Sequence, residues 1–236
     1  MAVAEREHAA VEVVDLETTS LRELNQRLHD LAGGAAGPRH WRIVNPSGAH
    51  AVACGLDANV EVEIDGHVGY YCAGMNKLAH VHVHGNASTG IAENMMSGRV
   101  TVDGNVSQSA GATGRGGLLV VRGNASSRCG ISMKGIDIVV GGSVGHMSAF
   151  MAQTGTLVVC GDAGEALGDS IYEARLYVGG SVSSLGADCV EKEMREEHLV
   201  HLAALLQAAG MDADPEGFRR YGSARQLYTF KVDNAY

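Results

Sequence analysis

The chain has 236 residues, with 32 glycines, three prolines, few aromatic side chains and a formal net charge of −9. This length allows a sizeable hydrophobic core, and the glycines follow no Gly-X-Y period, which excludes a collagen-like chain. The acidic balance, without any block of Lys or Arg, argues against nucleic acid or an anionic membrane as a partner. No segment approaches the ~18 apolar residues of a spanning helix, and the N-terminus lacks a signal-peptide core, so we expect a cytoplasmic protein.

Residues 1–58 predict a cap made of one helix and short strands. Ser20 and Glu23 form a capping-box pattern at the start of the helix. Four leucines then lie on one helical face before a Gly-Gly pair; they are Leu21, Leu24, Leu28 and Leu31. The segment 40–44 and the turn after it are compatible with short strands that lead into the next region.

Residues 59–190 repeat one phrase every nineteen residues: apolar, any, apolar, any, glycine. The aligned glycines are Gly66, Gly85, Gly104, Gly123, Gly142, Gly161 and Gly180. Valine, isoleucine or leucine stands four and two residues before each glycine, valine or alanine stands two after it, and alanine or glycine seven after it. A fixed short period predicts a solenoid, in which each repeat buries its apolar face against its neighbours.

The repeat favours strands, because an apolar spacing of two is the period of a β-strand. Nineteen residues can close one coil, with each strand ~4.8 Å from the equivalent strand of the next coil. We therefore predict an all-β solenoid: a right-handed parallel β-helix of about seven coils over residues 59–190. The glycine is expected to permit a backbone bend, and the column of small residues is expected to form a tight inner corner.

Residues 191–236 predict a C-terminal helix and a tail. Met194, His198 and Leu202 lie on one stripe of the helix, which should end at Gly210. In the repeat, the outward position three residues before the glycine changes from polar to apolar along the coils. Its apolar members, which need a cover, are Val120, Val139, Val158 and Tyr177. We expect these four residues to form an interface with a partner subunit; the alternative cover is the C-terminal helix.

The segment "HVHVH" places three histidines on the outward face of one strand, where imidazoles could form a metal-binding edge. They are His80, His82 and His84. The repeat offers a second interpretation, because polar residues of adjacent coils, among them Asp65 and Asp103, stand beside these histidines and would form ordinary cross-strand ladders. We favour the ladder and expect no metal site.

Other motifs do not point to chemistry either. The glycine-rich segment 111–117 resembles a phosphate loop, but no Lys-Ser/Thr pair and no helix start follow it. The five cysteines are an odd number without a C-x-x-C pair, which argues against a disulfide framework or a zinc knuckle. The acidic residues near the end of the repeat lack a matched base. We therefore expect no catalytic, cofactor-binding or metal-ligating residue in this chain.

Several phrases resemble the spaced-glycine β-helix domain of the glutamate synthase large subunit, a similarity that covers about residues 59–190. They are "EIDGHVGYYCAGMN", "AENMMSG", "SQSAGATGRGG", "RCGISMKGIDIVVGGSVGHMSAFMAQTG" and "VVCGDAGEALGDSIYEARLYVGGSV". The whole chain, including the ending "RRYGSARQLYTFKVDNAY", is similar to stand-alone versions of this domain, such as the second subunit of N-methylglutamate synthase, also called methylamine–glutamate N-methyltransferase. The alternative is the β-helix subunit of formylmethanofuran dehydrogenase, or of the related formyltransferase/hydrolase complex, although the phrases fit it less well.

The resemblance implies a non-catalytic structural subunit of a hetero-oligomer. Its partners would be a class II glutamine-amidotransferase-like subunit and an FMN-binding glutamate-synthase-like subunit. FMN, and any iron–sulfur cluster, would lie in the partner, since this chain shows no flavin fingerprint and no cluster-binding set of cysteines. The implied reaction of the assembly converts methylamine and L-glutamate to N-methyl-L-glutamate and ammonia.

Overall fold

A computed structural model describes residues 11–225 of the chain, and in this part eleven strands form one continuous sheet. Two α-helices and two short 3-10 turns accompany the sheet. In chain order the elements are β1 (Val11–Asp15), α1 (Leu21–His29), a 3-10 turn (Ala32–Gly34), β2 (His40–Val44), β3 (Glu61–Asp65), β4 (His80–Val83), β5 (Arg99–Val102), β6 (Leu118–Val121), β7 (Lys134–Val140), β8 (Thr154–Val159), β9 (Arg175–Val178), β10 (Cys189–Lys192), α2 (Glu196–Ala209), a second 3-10 turn (Pro215–Gly217) and β11 (Arg219–Ser223).

The strands β1 to β9 stack in parallel and in chain order, which confirms the predicted all-β solenoid of about seven turns. Val62 pairs with Val81, and Val81 pairs with Val100, so that equivalent residues of the nineteen-residue repeat lie directly above one another. The inward column is almost completely buried. The stack also extends beyond the repeat, because Trp41 pairs with Val62 in the same register although it lies 21 residues earlier.

A second side of each coil is held by single parallel bridges two residues after the repeat glycine. These bridges connect Val68, Ala87, Val106, Ala125, Val144, Ala163 and Val182 in succession. Each of these side chains except that of Val182 is at least 95% buried. This column of alternating valine and alanine therefore fills the interior of the coil from its second side.

The third side of each coil is built from residues with left-handed backbone conformation rather than from a strand. In one coil Tyr71, Ala73 and Met75 have φ angles of 60°, 51° and 56°. The amide of Ala73 donates to Val52 in the preceding coil, whereas the amide of Tyr71 donates to Thr89 in the following coil. The middle residue of each triplet points into the core, which explains the column of small residues that the sequence predicts as an inner corner.

The repeat glycine lies in a backbone bend after each strand, as the sequence predicts, and it also allows close approach between coils. Of the seven aligned glycines only Gly66 has a positive φ. A Cβ atom built on Gly123 would lie 2.7 Å from the carbonyl oxygen of Gly104 and 2.7 Å from the side-chain oxygen of Asn105. The predicted bend is therefore present, but only Gly66 needs the left-handed conformation that glycine permits; at Gly123 a side chain is excluded because the neighbouring coil occupies its place.

The residue after each repeat glycine forms a hydrogen-bonded ladder along the solenoid. The side-chain oxygen of Asn86 accepts from the amide of Asn105 at 2.8 Å, and that of Asn105 accepts from the amide of Asn124 at 2.8 Å. His67 precedes these asparagines in the ladder, and Ser143, Asp162 and Ser181 continue it. The Gly-Asn phrase thus couples a glycine that lets coils approach with a side chain that binds the next backbone amide.

The two ends of the solenoid are closed differently. At the first end α1 is capped by Ser20, whose hydroxyl accepts from the amide of Glu23 at 3.2 Å, and the buried leucines of the helix pack on the core. At the other end β11 returns antiparallel and inserts between β9 and β10. This strand lies in the tail that the sequence predicts after the C-terminal helix; residues 226–236 of the same tail lie outside the described residues.

Candidate functional site

The outward face of the strands is divided into an apolar and a polar part. Val120, Val139, Val158 and Tyr177 are all fully buried. The helix α2 covers them, packing Leu202, Leu206 and Ala209 against the stripe, with Phe218 beside them. The expectation that these four residues form an interface with a partner was therefore wrong, since the chain's own C-terminal helix, the alternative considered, occupies the surface. Burial also raises the pKa of the Tyr177 hydroxyl.

Hydrogen bonds fix the position of α2 at both ends of the apolar stripe. His201 contacts the hydroxyl of Thr156 in β8 at 3.1 Å, and the Arg99 side chain in β5 donates to the carbonyl of Ala208 at 2.8 Å. A guanidinium at the C-terminal end of a helix also complements the helix dipole. Arg99 thus marks the boundary at which the cover ends and the polar part of the outward face begins.

The polar part contains a compact cluster of His82, His84 and Asp103, which we call the His–Asp cluster. One ligand-type atom from each side chain can be chosen so that all three lie within 4.8 Å of one another. Nε2 of His82 lies 2.8 Å from Oδ1 of Asp103, and Nδ1 of His84 lies 3.0 Å from Oδ2. The two imidazole rings are 4.0 Å apart between centroids. A single carboxylate therefore joins both histidines.

The solenoid creates this cluster by stacking. His82 lies on β4 and His84 directly follows it, whereas Asp103 directly follows β5 in the next coil. The amide of His84 donates to Ile64 at 2.9 Å and the amide of Asp103 to Val83 at 3.0 Å, so that the inter-coil backbone ladder fixes both positions. Sequence reasoning placed His84 beside Asp103, but it did not show that His82 reaches the same carboxylate.

The charge at the cluster is balanced from the following coil. Nε of Arg122 lies 3.2 Å from Oδ1 of Asp103. Partial burial opposes ionisation of Asp103, but hydrogen bonds and charge from His82 and His84 outweigh it and lower the pKa of the carboxyl group. Asp103 is therefore a carboxylate at neutral pH, with two imidazoles and one guanidinium around it.

His80, the third histidine of the segment, stays outside the cluster. In the register of the strands it lies between Glu61 and Arg99, which is the polar ladder that the sequence predicts. His80 is exposed, and it lies on the same strand, β4, as His82. Of the three histidines of the motif, His80 thus belongs to a polar ladder, whereas His82 and His84 bind the same carboxylate.

The five cysteines are free thiols, and their environments are those of packed side chains. Burial raises the pKa of the thiols of Cys54, Cys72 and Cys160, that of Cys129 to about 12 and that of Cys189 to about 11. An activated cysteine shows the opposite shift, because its thiolate must be stabilised. These residues therefore act as core and boundary packing.

The glycine-rich segment 111–117 forms turns of the third side of a coil and leads into β6 rather than into a helix. A Cβ atom on Gly114 would lie 2.8 Å from Ile136, and one on Gly117 would lie 2.7 Å from the carbonyl oxygen of Gly98. The glycines of this segment are thus required by packing between coils, as the repeat predicts.

Three apolar side chains on the third side near the first end of the solenoid, Tyr70, Tyr71 and Met75, are about half exposed; we call them the Tyr70 surface. The ring of Tyr70 stacks on that of His50 with centroids 4.4 Å apart, and its edge meets Tyr71 at 6.4 Å. Clustered exposed aromatic side chains are typical of surfaces that bind other proteins.

None of the helices that the structure describes in residues 11–225 is long and apolar enough to cross a membrane. No family model matches the chain. The chain is 63% identical over 224 residues to "Protein GlxC" of Rhizobium meliloti (strain 1021), a match that covers 94% of this chain and 98% of that protein. Two proteins that share this identity over nearly their full lengths are members of one family. The chain belongs to the family of Protein GlxC.

Proposed function

We propose that this chain is a non-catalytic structural subunit of a glutamate-synthase-like complex in the cytoplasm, and that the complex is N-methylglutamate synthase. The complex would convert methylamine and L-glutamate to N-methyl-L-glutamate and ammonia. Its class II glutamine-amidotransferase-like subunit and its FMN-binding glutamate-synthase-like subunit would carry the chemistry, together with FMN and any iron–sulfur cluster. This chain would bind both as a protein scaffold.

The observation that carries this proposal is the structural use of the repeat. In each coil the inward columns fill the core, the glycine allows the coils to approach, and the residue after the glycine binds the next amide. The outward apolar positions hold α2. A nucleophilic thiol in an enzyme needs a lowered pKa and an accessible place, whereas the thiols of Cys72 and Cys129 have raised pKa values and serve packing.

The exposed surfaces support a scaffold role. Because α2 already covers the apolar stripe, the Tyr70 surface is the apolar patch that we assign to a partner subunit. Aromatic side chains are enriched where proteins bind each other, and their burial contributes much of the binding free energy. The acidic charge of the chain, −9 overall, gives no support to a nucleic-acid or anionic membrane partner.

The proposal is tested by expressing the chain together with its two proposed partners. We expect the three proteins to copurify, the flavin absorbance to follow the FMN-binding subunit, and the formation of N-methyl-L-glutamate to require the assembled complex. Copurification with the proteins of a formyl-transferring complex instead would overturn the assignment. Tyr70→Ser, with Tyr172→Ser as a matched exposed control, tests whether the Tyr70 surface contributes to assembly.

A further inference from the structure

We propose that the His–Asp cluster is a binding site for a divalent transition-metal ion, with Zn²⁺ as the best-matched ion. This site goes beyond the proposed assembly role and differs from the sequence-based expectation of a simple polar ladder. The ligands would be the imidazoles of His82 and His84 and the carboxylate of Asp103, from two consecutive coils of the solenoid.

The donor set fits the chemistry of zinc. Two imidazole nitrogens and one carboxylate oxygen form a common protein site for Zn²⁺, with ligand distances of ~2.0–2.2 Å. Donors around a tetrahedral ion at these distances lie about 3.3–3.6 Å from one another. In the cluster the histidine nitrogens lie 2.8 and 3.0 Å from the oxygens of Asp103, and the three ligand atoms lie within 4.8 Å of one another. The two histidines contact different oxygens of Asp103, so small side-chain rotations would bring the three ligand atoms to the spacing that one ion requires.

The backbone under the cluster is rigid. The amides of His84 and Asp103 are hydrogen-bonded to the preceding coils, and the inward neighbours Val83 and Val102 are completely buried. A site whose ligands project from fixed strands loses little conformational entropy when the ion binds. For the ion to bind, each imidazole nitrogen that now donates to the carboxylate would give up its proton, to the other ring nitrogen or to solvent, and offer its lone pair to the ion.

Arg122 gives the proposal a distinctive signature. Its guanidinium lies 3.2 Å from Oδ1 of Asp103, where it competes with a cation for the carboxylate and repels the ion. The Arg122 side chain is 44% exposed, and it can turn into solvent when an ion enters. Removing this charge should therefore strengthen metal binding, whereas in a purely structural ladder it would only remove one ion pair.

The proposed ion would keep an open coordination position. Three protein ligands leave at least one position of a tetrahedral zinc for water or for an outside ligand. Each side chain of the cluster is about one-third exposed, so that this position faces solvent. The ion would thus link two consecutive coils through its protein ligands, and its remaining coordination position would face solvent.

The test is a titration of Zn²⁺ into the chelator-treated full chain by calorimetry, with Co²⁺ absorption as a second readout of the coordination. We expect one ion per chain. His82→Asn, His84→Asn and Asp103→Asn should each weaken binding by at least about tenfold, since even outer-shell changes cost 10- to 100-fold. Arg122→Gln should strengthen binding several-fold. His80→Asn is the matched control, because His80 lies on the same strand as His82 and two residues before it, and it should leave the affinity unchanged.

Two outcomes would overturn the proposal. One is absence of Zn²⁺ binding to the full chain at millimolar concentration. The other is binding that His80→Asn weakens as much as His84→Asn does, which would indicate adventitious contact with surface histidines. Should Asp103→Asn fail to fold, the opposite effects expected for His82→Asn and Arg122→Gln decide the matter. None of these readouts depends on the activity of the assembled complex.

Discussion

The side-chain oxygen of Asn105 accepts a 2.8 Å hydrogen bond from the backbone amide of Asn124, which occupies the same position one coil later. The side-chain amide of Asn124 donates to the same oxygen at 3.1 Å. In this ladder the backbone amide donates to a side-chain oxygen of the preceding coil, whereas in the strands it donates to a backbone carbonyl. It explains why asparagine follows glycine in three successive repeats.

We predict that Asn105→Ala destabilises the chain by about 0.5–1.5 kcal/mol, the usual contribution of one hydrogen bond. The amide of Asn124 would lose its protein partner, although water can replace it on this exposed side. Urea denaturation measures the change. Gln108→Ala, an exposed polar residue of the same coil, is the control and should have little effect; an equal loss in both variants would show that the ladder contributes nothing.

Gly123→Ala should destabilise the chain more strongly, by about 1–3 kcal/mol, because the added methyl group would overlap the carbonyl of Gly104 and the side chain of Asn105. Thermal unfolding followed by circular dichroism should show a melting temperature several degrees lower. The control is Gly217→Ala, since nothing lies within 4 Å of its added Cβ atom. Unchanged melting of the Gly123 variant would contradict the close approach of the coils.

Val139→Lys tests the cover of the apolar stripe. Val139 is completely buried beneath α2, and an unpaired charge placed there should cost about 3–5 kcal/mol or release the helix. Hydrogen exchange of the α2 amides in the isolated chain is the measurement. Val200→Lys, on the exposed side of α2, should leave exchange unchanged. If a partner subunit were the true cover, the isolated Val139 variant would instead keep its stability.

The buried thiols predict a loss of stability in alkaline solution. Burial raises the pKa of Cys129 to about 12, so that the folded chain keeps its thiol proton while the unfolded chain loses it above about pH 8.5. This contribution is fully present below about pH 8.5 and is lost as the pH rises toward 12.

Cys129→Ala should therefore make the unfolding free energy fall less steeply between pH 8.5 and 10, as measured by urea denaturation at each pH. Cys160→Ala, which removes a half-buried thiol, should change this slope less. Identical slopes in the native chain and the Cys129 variant would contradict the assignment of a protonated, buried thiol.

The parts of the fold that depend on periodicity could be predicted from the sequence. The column through Val62, Val81 and Val100 has one side chain every nineteen residues, and only stacked coils bury such a column continuously. The helix α2 ends at Gly210, which adopts the left-handed conformation at the C-cap, as the sequence indicates. Local signals of this kind involve one repeat or one helix turn and need no knowledge of distant contacts.

The remaining features depend on contacts that the repeat does not encode. The insertion of β11 between β9 and β10 and the cover of Val139 by α2 join segments that are far apart in the chain. The reason for glycine at position 123 lies in the neighbouring coil, not in its own dihedral angles. The His–Asp cluster forms because His82 on β4 and His84 just after it turn toward the same carboxylate, and side-chain directions are not visible in a periodic pattern.

The proposed function assigns structure to this chain and the reaction to its partners. The most direct measurement compares flavin absorbance and glutamate-dependent consumption of methylamine in the purified chain, in the two partner proteins alone and in the three proteins together. We predict neither flavin nor turnover in the isolated chain, and full activity only when it joins its partners. Flavin or turnover retained by the isolated chain would contradict the account.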